Sequence, residues 1–151
     1  MARIIVRSGL PGFVLLDSIH EAGPLSISGH KRFNRSPHYC AIEALAQLGA
    51  FHVRFLNDFA KHAFLLAVKR CSLPAVRELT GDWMLSGKLA SRSSSAFSYE
   101  LSAVGDTGET MEGEFLFSVA EYDGTLFKEE IMVRHYRKVF SCLRASSKTN
   151  C

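Results

Sequence analysis

The sequence predicts an α+β fold in which a curved antiparallel sheet wraps around one long central helix, with an additional C-terminal helix. Three observations carry this. The run from Tyr39 to Ala60 is dominated by Ala and Leu, contains no Pro, and is apolar nearly all round in its first half. Such a helix must be enclosed on most sides, and a sheet face supplies the missing apolar contacts. Several strand-like runs separated by turn residues follow it, and the chain ends in an amphipathic segment.

The elements read in order as follows. Phe13 to Leu16 is a short apolar run closed by Asp17, a first strand or a single helical turn. Ser26 to Phe33 mixes polar and apolar residues and reads as a strand. Pro37 suits the start of the central helix, because its φ is already close to the helical value. Phe64 to Val68, Trp83 to Leu89, Ala96 to Ala103 and Met111 to Glu121 read as strands. Ser91 to Ser95 is a turn. Gly105-Asp106-Thr107-Gly108 is a hairpin connection, since Gly and Asp tolerate positive φ, and Asp123-Gly124 is another turn.

The last element runs from Lys128 to Arg144. Phe127, Ile131, His135 or Tyr136, Val139, Phe140 and Leu143 recur there at helical spacing. Glu129 and Glu130 at its start and Arg144 at its end complement the helix dipole. Residues 1–145 are expected to form a single domain and the polar residues 146–151 a flexible tail.

Composition narrows the function classes. A net charge of +3, spread over the chain and balanced by acids, is no nucleic-acid footprint. A mildly basic rim would suit an acidic partner such as a carrier protein or a coenzyme A phosphate. Cys40, Cys71, Cys142 and Cys151 show neither metal-ligand spacing nor a disulfide pattern, which fits reduced thiols in the cytosol. No stretch has the length of a membrane span or the form of a signal peptide. The expectation is a cytoplasmic protein with no membrane partner.

One string is more specific. Ile42-Glu43-Ala44-Leu45-Ala46-Gln47 resembles the central-helix motif of 3-hydroxyacyl-acyl-carrier-protein dehydratases, which have the hotdog fold. Phe13-Val14-Leu15-Leu16-Asp17 is similar to that family's N-terminal segment. Gly81-Asp82 resembles the pair opening its second long strand, and Gly105 to Glu112 its late hairpin. The resemblance runs in order from Phe13 to Val119. It implies dehydration of a 3-hydroxyacyl group carried on acyl carrier protein or coenzyme A, by a homodimer or higher homo-oligomer without cofactor or metal.

The resemblance also implies roles. Glu43 would be the acid and a His from the preceding loop the base, with backbone N–H groups after Pro37 holding the thioester carbonyl. Gln47, one turn after Glu43, could orient it; Gln47, Tyr39 and Pro37 are the substrate-binding candidates. The match departs at the loop. Gly29-His30 is followed by Lys31-Arg32 instead of Phe-Pro, and His38 stands where the family has a Gly. Glu43 follows Asp17 by only 26 positions, fewer than the family spends there. If the loop is missing, His30 is a strand residue and His38 is the remaining partner. His52 and His62 read as structural.

Two alternatives stand beside dehydration. One is an acyl-thioester hydrolase, in which a helix carboxylate alone activates water or attacks the thioester. The other is a non-catalytic acyl-binding or assembly subunit.

Overall fold

The structure, a computed structural model, describes residues 15–122 and 129–145. In chain order the elements are β1 (Ser18–Ala22), β2 (Ser26–Pro37), α1 (Cys40–Leu56), β3 (His62–Ser72), β4 (Glu78–Arg92), β5 (Ala96–Gly105), β6 (Thr110–Ala120) and α2 (Glu129–Ala145). The six strands form one antiparallel sheet in the order β1-β2-β4-β5-β6-β3. Helix α1 therefore carries the chain from β2 across one face of the sheet to the far edge, where β3 pairs, among the described residues, only with β6.

Alternate strand residues line that face. Trp83 and Leu85 of β4, Phe97, Tyr99 and Leu101 of β5, and Phe115 and Phe117 of β6 are almost fully buried against Ala41, Ala44, Leu45 and Leu48 of α1. Gly49 lets the helix approach β6 closely, because a Cβ there would sit 2.5 Å from the Phe117 ring. At the other end of α1, Phe140 of α2 packs on Phe51, Phe55 and Phe59.

The expected architecture holds, with differences that have physical reasons. Helix α1 is 17 residues, not a long helix reaching Ala60. It ends at Leu56 because Asp58 and Phe59 adopt positive φ. It is enclosed on one side only: Ile42, Ala46 and Ala50 are half-buried and Glu43 is exposed. Among the described residues the first strand is Ser18–Ala22; of the run Phe13 to Leu16, Phe13 and Val14 lie outside the described residues, and Leu15 and Leu16 precede the strand. A bulge between Ile19 and Glu21 breaks its alternation, so its sequence carries no strand pattern.

Strands β3 and β4 extend beyond their apolar centres because ladder hydrogen bonds, not side chains, continue them. In α2 the buried stripe is Val139, Phe140 and Leu143, whereas Ile131 is exposed. Phe127, Lys128 and the Asp123-Gly124 turn lie outside the described residues.

Candidate active site

The open side of α1 forms one wall of a groove of about 440 Å³. Glu43, Ala46, Gln47, Ala50, Phe51 and Arg54 line it from the helix. Facing them are His62, Ala63, Phe64 and Leu65 of β3, Phe117 of β6 and Tyr136 of α2. The helical rise places Glu43 and Arg54 about 16 Å apart along the axis, so the groove is a slot with a carboxylate towards one end and a guanidinium towards the other. Its β3 wall is the sheet edge, and Leu65 and Leu66 are exposed there.

Glu43 sits in the first turn of α1. Its charge and that of Lys31 both act on the neighbouring Cys40 thiol, whose pKa is raised, first by burial and then by Glu43, and lowered in part by Lys31. Gln47 accepts a 2.9 Å hydrogen bond from the Leu15 N–H, which ties the segment before β1 to the helix.

The two candidate bases are placed differently. His30 lies on β2, not on a loop. A Cβ on the preceding Gly29 would point at Leu48 of the helix, at 3.2 Å, so His30 projects from the opposite face of the sheet. There its Nε2 lies 2.8 Å from Asp82 Oδ1, and its ring stacks on His20 with centroids 6.3 Å apart. The sheet therefore separates His30 from Glu43. The reason is local: β2 continues past a bulge between Phe33 and Ser36 to Pro37 and consumes the residues a loop would need.

His38 is half-buried between β2 and α1, its ring 6.4 Å from that of the exposed Tyr39. Pro37, expected just before the helix, is the last residue of β2, paired with Glu78. The backbone N–H groups after it are mostly committed. His38 N–H donates to Arg77, Ala41 N–H to His38, and the N–H groups of Ile42 and Glu43 to Tyr39.

Sequence reasoning passed over Arg54, which lies in the last turn of α1 and lines the groove. It is 7% exposed and, among the described residues, is the one buried lysine or arginine. One guanidinium nitrogen donates to the Ala63 carbonyl at 3.0 Å, and the guanidinium carbon lies 3.9 Å from the Tyr136 ring centroid. Its Nε is buried with no hydrogen-bond partner. Burial pushes its pKa down, yet a guanidinium stays protonated in proteins. The available signal was spacing, since Arg54 follows Gln47 by seven residues and so shares its helix face.

Among the described residues no group of three His, Cys, Asp or Glu side chains is arranged to hold a metal ion. No helix there is long and apolar enough to cross a membrane.

No family model matches the sequence, and no curated protein matches it significantly. Solved structures do match. A mutant of thioesterase PA1618 from Pseudomonas aeruginosa superposes with a TM-score of 0.58 at 12% identity, over 69% of this chain and 81% of that one. Thioesterase HI1161 from Haemophilus influenzae gives 0.57 at 9% identity, over 68% and 77%. The dehydratase heterocomplex ApeI:P from Xenorhabdus doucetiae gives 0.63 at 15% identity, over 83% and 91%. At these identities the likeness establishes the hotdog fold.

Proposed function

We propose that this chain is an acyl-thioester hydrolase that works as a homodimer, with Glu43 activating the attacking water. One observation carries the reading: Glu43 opens onto an apolar slot whose lining includes neither His30 nor His38. A lone carboxylate suffices for hydrolysis, whereas dehydration needs a second proton-transfer group beside it. The thioesterases among the structural neighbours support the same reading.

In this mechanism Glu43 takes a proton from water as the oxygen adds to the thioester carbon. The tetrahedral intermediate collapses with cleavage of the carbon–sulfur bond. The sulfur leaves as a thiol, taking the proton back from Glu43, and the acyl group departs as the free acid. The N–H groups of Tyr39 and Cys40 are the ones left to hold the developing oxyanion. The exposed apolar edge of β3 supports dimerisation, because an edge unpaired among the described residues, with Phe64, Leu65 and Leu66, invites a second β3.

Dehydration of a 3-hydroxyacyl thioester, on acyl carrier protein or coenzyme A, is the second reading. The string Ile42 to Gln47 and the likeness to ApeI:P favour it. It requires His38 as base, with Glu43 as acid supplied across the dimer. Product analysis separates the two. The purified protein is given saturated acyl-CoA and 3-hydroxyacyl-CoA; free thiol from both supports hydrolysis. An enoyl thioester from the 3-hydroxy substrate without thiol release overturns hydrolysis and supports dehydration.

A further inference from the structure

The slot that begins at Glu43 contains a charged group that hydrolysis does not use. Arg54 is only 7% exposed, and no carboxylate among the described residues pairs with it. Its guanidinium nitrogens meet only neutral groups, the Ala63 carbonyl and Tyr136, and its Nε has no acceptor. The Tyr136 ring and the α1 C-terminus offset part of the charge. Neither supplies the planar, two-oxygen acceptor that a guanidinium fork matches.

A buried cation without a counter-ion is costly, and a merely structural position would be filled more stably by an apolar residue of similar size. The position is also specific. Arg54 shares the groove with Glu43, about 16 Å away along the helix. Carbon–carbon bonds of about 1.5 Å advance about 1.3 Å each along a zigzag, so roughly a dozen carbons span that distance.

We infer that the slot selects acyl thioesters whose far end carries a carboxylate, with Arg54 as the specificity-determining anchor. The thioester lies at Glu43, the methylene chain runs along Ala46, Ala50 and Phe117, and the terminal carboxylate reaches the guanidinium. A neutral hydroxyl or ketone would satisfy Nε but leave the charge uncompensated; a carboxylate satisfies both. The inference rests on the groove being an acyl site, as the hydrolase reading holds, but not on the chemistry performed there.

The test measures binding and not turnover. Two non-hydrolysable coenzyme A thioethers with twelve-carbon chains, one ending in methyl and one in carboxylate, are titrated calorimetrically into the full chain. The carboxylate-ended ligand is expected to bind wild type at least about tenfold more tightly. Arg54→Met should remove that preference while leaving the methyl-ended ligand unchanged, and Arg54→Lys should keep part of it.

Equal or weaker binding of the carboxylate-ended ligand by wild type overturns the inference, whatever the variants do. An equal loss for both ligands in Arg54→Met, with a normal melting curve, also overturns it. A carboxylate preference in a protein that releases no thiol upholds the inference and sinks the hydrolase reading alone.

Discussion

His52 and Arg54 sit two residues apart on the same helix, and both are buried polar side chains. Their surroundings differ in kind. His52 Nε2 lies 2.7 Å from the Gly23 carbonyl, which can only accept, so Nε2 carries the proton. Its Nδ1, 2.5 Å from Tyr99 Oη, then accepts the tyrosine hydroxyl proton. Every polar atom of the ring is matched, and burial keeps the imidazole neutral by lowering its pKa. Arg54 meets the Ala63 carbonyl and Tyr136, but it has an orphaned Nε and no carboxylate partner among the described residues. A closed network fastens three elements together; an open one waits for something from outside. The contrast separates a structural polar group from a ligand-binding one without reference to any relative.

The largest effect expected from breaking this contrast is on the structural side. His52→Ala should cost about 2–5 kcal/mol, because it leaves a cavity and orphans both the Tyr99 hydroxyl and the Gly23 carbonyl. Chemical denaturation of the variant checks this, and a cost near zero would show that the network is dispensable.

A smaller effect is expected from acid. His52, His62 and His135 all have pKa values lowered, in each case chiefly by burial. Below the unfolded value of about 6.5 the unfolded chain binds more protons at these sites than the folded one, so stability falls as pH falls. The melting temperature should therefore drop between pH 7.5 and 5.5, and less steeply in His52→Gln. A melting temperature that rises on acidification would contradict the assignment.

The smallest effect belongs to the other member of the pair. Arg54→Met should change stability by no more than about 1 kcal/mol in either direction, because removing an unpaired buried charge offsets the lost bond to Ala63. A loss as large as that of His52→Ala would mean that Arg54 is structural after all.

Much of the fold was legible in the sequence because its signals are local. The Ala- and Leu-rich helix, the Gly105 to Gly108 connection and the late strands announce themselves within a few residues. The bulged β1 did not, since its alternation is broken where its sequence is most polar. The site was legible only in part. Glu43 and Gln47 could be picked from one string, but which side of the sheet His30 faces depends on the register of β2, and no loop motif reveals that. Arg54 was hidden for a plainer reason: a basic residue in a last helical turn is what the helix dipole favours on any surface. Its lack of a counter-ion emerges only when α2 and β3 close over it.

The groove's assignment as a thioester site turns on Glu43. The direct measurement is the rate of thiol release from acyl-CoA by wild type and by Glu43→Gln, which keeps the shape and removes the base. The expected result is a fall in kcat of about 10²–10⁴-fold with folding and KM little changed. Hydrolysis by Glu43→Gln at the wild-type rate would contradict it.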